Sequence, residues 1–164
     1  MKKLIIINGT MGVGKSTTCK RLNEKLDKSV FLDGDWCWNM DPFVVTEETK
    51  KMGMDNITYT LNNFLSCSAF DHVIFCWVIH SINILDEIIS KLNPSDYKLQ
   101  VITLTCNEET LKERIQKDTI HLRGSDMVTR STSRLKLYED MTTQKLDTSH
   151  MTTEEVVDKI ITFL

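Results

Sequence analysis

The sequence predicts an α/β fold: a doubly wound, five-stranded parallel sheet with helices on both faces. Three observations carry this. Short, continuous apolar runs rich in β-branched residues alternate along the chain with longer stretches of helical periodicity. The runs lack the in–out alternation of a half-exposed strand, so they suit strands covered on both sides. At 164 residues the chain fits one domain, and no repeat, low-complexity tract or Pro/Gly-rich linker divides it.

In chain order, strands are expected at residues 4–8, 30–33, 73–79, 99–106 and about 145–147. Helices are expected at 15–26, about 55–70, 82–92, 108–117, 130–141 and 154–163. Asn107 is placed to cap the fourth helix, and Thr152 to Glu155 has capping-box spacing before the last. Residues 118–129 are polar, weakly periodic and contain Gly124, and they read as a loop or mobile lid.

Composition narrows the function class. Hydrophobic residues make up 41% and charged residues 26%, ordinary for a globular protein. A net charge of −3 gives no general attraction to nucleic acid or an anionic membrane. No apolar run approaches the ~20 residues that span a bilayer, and the short run in MKKLIIING is a first strand rather than a signal segment. Cys19, Cys37, Cys67, Cys76 and Cys106 are odd in number and form no CxxC, which fits free thiols in the cytoplasm. A monomer or homodimer acting on a small molecule is expected.

Three of the six glycines, Gly9, Gly12 and Gly14, fall between the first strand and the first helix. The stretch from Gly9 to Ser16 matches GxxxxGK[ST], the Walker A pattern. Glycines let the backbone curl so that its N–H groups converge on phosphate oxygens. Lys15 supplies charge for the β- and γ-phosphates, Ser16 a hydroxyl for Mg²⁺, and the helix N-terminus its positive dipole end. The nucleotide-binding set is Gly9, Thr10, Met11, Gly12, Val13, Gly14, Lys15, Ser16 and Thr17.

No NKxD or DxxG motif marks a guanine-nucleotide switch, and the third strand does not end in an acid. The acids follow the second strand instead, in Asp33-Gly34-Asp35. Ligands of doubly wound sheets gather at the strands' carboxyl ends, which puts Asp33 and Asp35 beside the glycine loop. One carboxylate suits Mg²⁺ or its waters, and the other suits a proton from an attacking hydroxyl. Trp36 and Trp38, directly after Asp35, are candidates for a wall that stacks on a ring, with Trp77 assigned to the core. His80, at the end of the third strand, is a candidate substrate contact.

These motifs resemble the small P-loop kinases: the shikimate, gluconate, adenylylsulfate and chloramphenicol phosphotransferase group and the nucleoside monophosphate kinases. The likeness rests on the glycine loop, on the DGD, and on Arg123-Gly124-Ser125-Asp126 followed by Arg134-Leu135-Lys136-Leu137-Tyr138. It implies a P-loop fold with a lid at about 118–130 and an acceptor-binding segment at about 36–70. It implies ATP and Mg²⁺, Ser16 and Asp33 on the metal side, and Asp35 as the substrate-side base. It implies phosphate-clamping arginines, Arg123 first and Arg134 second, with Arg114 and Arg130 as further candidates. Residues 147–150 resemble the loop that holds adenine. The implied reaction moves the γ-phosphoryl group of ATP to a hydroxyl of a small molecule, and Lys15 and Asp35 are expected to be catalytic. Residues 35–70 contain no arginine, which favours a neutral acceptor. A nucleoside monophosphate kinase and a non-catalytic ATP sensor are the alternatives.

Overall fold

The computed structural model describes residues 1–93, 96–118 and 126–164. Five strands form one parallel sheet in the order β2-β3-β1-β4-β5. They are β1 (Lys2–Asn8), β2 (Ser29–Asp33), β3 (His72–Trp77), β4 (Tyr97–Thr105) and β5 (Gln144–Asp147). The helices are α1 (Lys15–Lys25), α2 (Glu47–Ser66), α3 (Ile82–Ser90), α4 (Glu108–Lys117), α5 (Asp126–Glu139) and α6 (Thr153–Ile161).

The central strand shows why its sequence is continuously apolar. Leu4, Ile5, Ile6 and Ile7 are all fully buried, but in two different cores. Ile5 and Ile7 pack with Leu22 of α1, Leu111 of α4 and Val157 of α6. Leu4 and Ile6 pack on the other face with Ile57 and Leu61 of α2 and Ile88 of α3. Each such side chain contributes about 1.5–3 kcal/mol of burial, so one polar substitution here would disrupt one layer or the other.

Local signals set the helix starts. Asn107 Oδ1 accepts from the Thr110 N–H at 2.8 Å, and Ser81 Oγ accepts from the Asn83 N–H at 3.2 Å. Thr152 and Glu155 form the expected capping box before α6. Two helices depart from expectation. Helix α2 begins at Glu47 rather than about residue 55 and ends at Ser66 rather than 70. Its start is set by a Thr46–Thr49 capping box, in which a second hydroxyl replaces the usual Glu or Gln. Helix α5 begins at Asp126 rather than 130, so part of the expected loop is helical and buries Met127. All five cysteines are free, and none of the described helices is long and apolar enough to cross a membrane.

Candidate active site

Strand β1 ends at Asn8, whose side chain extends the ladder past the strand. Its Nδ2 donates to the Ile79 carbonyl at 2.7 Å, and its Oδ1 accepts from the Ile79 N–H at 2.9 Å. The glycine loop starts from this fixed point. Gly9, Gly12 and Gly14 have φ of 147°, 85° and 105°, a region that side-chain-bearing residues seldom adopt. A Cβ on Gly12 would also lie 2.5 Å from Ile115 of α4. Gly14 instead faces open space and lines a cavity of about 1010 Å³. It is the N-cap of α1 and leaves that helix without a side-chain cap or an acid in its first turn. The free N–H groups and positive dipole end of α1 therefore remain available to an anion.

The loop is tied to its surroundings at several points. Thr10 Oγ1 donates to the Ser131 carbonyl of α5 at 2.9 Å, and Lys15 Nζ donates to the Thr10 carbonyl at 2.9 Å. Arg114 donates to the Val13 carbonyl at 3.0 Å, to Thr148 Oγ1 at 2.8 Å and to the Thr148 carbonyl at 2.7 Å. It thereby clamps the glycine loop to the segment after β5. Burial holds the Lys15 ammonium below its ordinary value of 10.5, partly offset by Cys76, Asp35 and Asp33. Phosphate beside it would favour the charged form.

Asp33 closes β2, and its Oδ2 accepts from Ser16 Oγ at 2.6 Å. Its Oδ1 accepts from the Asp35 N–H at 3.1 Å, capping the short 3₁₀ helix Gly34–Trp38. That turn places Asp35 and Trp36 on the cavity wall together with Lys15, Ser16 and Asp33. Hard oxygen donors from Ser16 and Asp33, within hydrogen-bond distance of each other, fit Mg²⁺. Among the described residues no cluster of three His, Cys, Asp or Glu forms an all-protein metal cage.

The other candidates divide. Trp38 is not on the cavity wall. It lies behind it, stacked on Trp77 at 6.1 Å and wedged against Gly53, where a Cβ would sit 2.2 Å from the Trp38 ring. Trp77 packs against the core as expected, but at the end of β3 it is only half-buried and also lines the cavity. Trp77 reaches the wall because β3 stops there, and Trp38 leaves it because the 3₁₀ turn carries it against Gly53 of α2. His80 is exposed and off the cavity, since the Asn8 bridge takes up the backbone at Ile79.

Arg130 and Arg134 line a second, small cavity of about 30 Å³, which shares Met11, Val78 and Met127 with the large one. Tyr138 also lines it. Its hydroxyl is buried with no hydrogen-bond partner among the described residues, and burial pushes its pKa up to about 12. Arg123 lies outside the described residues. Sequence reasoning missed several wall residues, among them Lys20, Asn39, Val78, Lys117 and Met127, and the bracing role of Arg114. The spacing of Arg114 on α4 carried no signal of its carbonyl partners.

Residues 5–134 match the family model of the AAA domain. No curated protein sequence matches the chain. In three dimensions it is similar to the tunicamycin resistance protein of Deinococcus radiodurans, at 18% identity and a TM-score of 0.74, over 99% of this chain and 95% of that one. It is similar to a gluconokinase from Sinorhizobium meliloti, at 16% identity and 0.70, over 98% and 90%. A shikimate kinase from Acinetobacter baumannii, solved with shikimate, gives 20% identity and 0.67, over 99% and 93%. At these identities the likeness is one of fold. The glycine loop, the strand order and the length of the match together place the chain in the AAA domain family, on the P-loop nucleoside triphosphate hydrolase fold that small kinases share.

Proposed function

We propose that the chain is a phosphotransferase that moves the γ-phosphoryl group of ATP to a hydroxyl of a small molecule. The observation that carries this reading is the shared cavity. Asp35 lines the same space as Lys15, two residues after the Asp33 that holds Ser16. A site for nucleotide binding alone has no use for a second carboxylate there. The kinases of the same fold support the reaction class.

The glycine-loop N–H groups and the N-terminus of α1 hold the phosphates. Lys15 neutralises charge that shifts toward the leaving oxygen as the bond between the γ-phosphorus and the β–γ bridging oxygen breaks. The acceptor oxygen forms the new bond to phosphorus, and Asp35 orients that hydroxyl and takes its proton. Arg134 and Arg130 stand next to the reaction space as clamps for the transferring group. Mg²⁺, held through Ser16 and Asp33, would neutralise the β- and γ-oxygens. Residues 36–70 supply the acceptor side and residues 118–130 the lid, within a single catalytic unit.

The test is ADP release from Mg-ATP by the purified protein, across a panel of hydroxyl compounds, nucleotides and sugar acids. Stimulation by a hydroxyl acceptor is expected. Asp35→Asn should keep nucleotide binding and lose transfer by about 10²–10⁴-fold. Full transfer by that variant would remove Asp35 from the role of base, and release stimulated by monophosphates alone would make this a nucleotide kinase.

A further inference from the structure

Resting on the phosphotransferase reading, we infer that the acceptor is an uncharged, ring-bearing alcohol whose ring lies against the indoles of Trp36 and Trp77. The sheet order divides the cavity. Strand β1 and its glycine loop lie in the middle, β3 and β2 to one side, and β4 and β5 to the other. The described cations of the wall are Lys15, Lys20, Arg114 and Lys117. They come from the loop, from α1 and from α4 behind β4, so they belong to the nucleotide.

The β2–β3 side has a different chemistry. Its described wall is Asp33, Asp35, Trp36, Asn39, Trp77 and Val78, with two carboxylates, two indoles and no cation among the described residues. A carboxylate or phosphate on the acceptor would enter a space already held by two acids, with no described Lys or Arg on that wall to receive it. Arg130 and Arg134 stand across Met11, Val78 and Met127, in the separate small cavity.

The indoles supply the attraction. Trp36 is 56% exposed, an unusual position for the largest apolar side chain. Its described ring partner is Phe31, edge-on at 5.3 Å, which fixes the indole without covering it. Trp77 is supported by the stacked Trp38 ring and packs closely on Gly34, where a Cβ would lie 2.5 Å from the Trp77 ring, and its half-buried remainder lines the cavity. Flat, preorganised indoles beside one carboxamide favour a planar or compact ring with few polar groups.

The experiment is intrinsic tryptophan fluorescence of the full chain, titrated with matched trios of alcohol, carboxylate and phosphate ester. The trios are uridine with its 5′-carboxylate and 5′-monophosphate, 2-phenylethanol with phenylacetate and phenethyl phosphate, and cyclohexylmethanol with its two anions. ADP release is measured in parallel. The alcohol of at least one trio should bind about tenfold more tightly than both of its anions, a difference of about 1.4 kcal/mol. Because Trp36 is itself a fluorophore, binding to the variants is followed by isothermal titration calorimetry, in which it should weaken by about tenfold or more in Trp36→Ala and recover in part in Trp36→Phe. Preference for an anion overturns the charge argument, and so does silence from every trio. An alcohol that binds Trp36→Ala and Trp77→Phe as well as the native chain overturns the ring placement. ADP release driven by an anion defeats the inference and keeps the phosphotransferase reading. Ring binding without ADP release defeats that reading and leaves the ring site standing.

Discussion

The two sides of the cavity are held by different means. On the nucleotide side hydrogen bonds tie the loop down, Thr10 to Ser131 and Arg114 to Val13 and Thr148, with Gly12 pressed on Ile115. On the acceptor side the two wall indoles are held by ring packing on residues behind them. Trp77 leans on Trp38, Trp38 on Gly53, and Trp36 stands out toward solvent with Phe31 at its edge. A phosphate group asks for a fixed set of backbone N–H groups, which a rigid cradle provides. The acceptor asks for a shape, and shape comes from side chains that can be exchanged.

The strongest way to break this contrast is Lys15→Ala. Loss of a buried, preorganised cation should lower turnover by on the order of 10²–10³-fold while the fold persists, as seen by ADP release and thermal melting together. Next, Trp38→Ala should destabilise the protein by about 3 kcal/mol, because it empties the space between Trp77 and Gly53. Trp36→Ala, two residues away and exposed, should change stability by no more than about 0.5 kcal/mol. Equal Tm shifts in the two variants would erase the distinction between wall and support.

Arg114→Ala removes three hydrogen bonds and unclamps the loop, so ATP affinity should fall about tenfold or more in a direct binding titration. A subtler effect follows from the Lys15 ammonium. Burial lowers its pKa in the unliganded protein, and phosphate restores the charged form, so binding takes up a proton. ATP affinity should therefore decline as pH rises through the lowered Lys15 value, below 10.5, and a flat profile there would contradict it.

The smallest effect lies at the exposed surface, where Glu154 of α6 meets Lys25 and Arg21 of α1. Hydrogen bonds from Lys25, then Arg21, hold the Glu154 carboxyl below its ordinary 4.5. The stability it contributes is present above that value and lost as pH falls through the lowered one. Glu154→Gln should give a small drop in Tm at neutral pH that shrinks with added salt and disappears in acid.

The parts of the molecule fixed by the backbone were the legible ones. Strands buried on both faces announce themselves as unbroken apolar runs, and the glycine loop as a spacing. Helix α2 was harder to read because Gly53 interrupts a helix that tertiary packing completes, and because Thr49 does the work usually done by Glu or Gln in the cap. That Trp77 reaches the cavity and Trp38 does not turns on where β3 stops and how a 3₁₀ turn rotates, and neither has a period to detect. Arg114 was visible as a candidate, but two of its three hydrogen bonds go to main-chain carbonyls, which no residue type encodes.

The contact at Gly53 has an effect that reaches well beyond its own helix. A single methyl group added there must displace Trp38, and Trp38 is what Trp77 rests on. A position on α2, outside the cavity wall, thus works like an adjusting screw behind a panel. Chemical preference can drift from the rear of the pocket, through changes that never meet the acceptor and leave the phosphate cradle untouched.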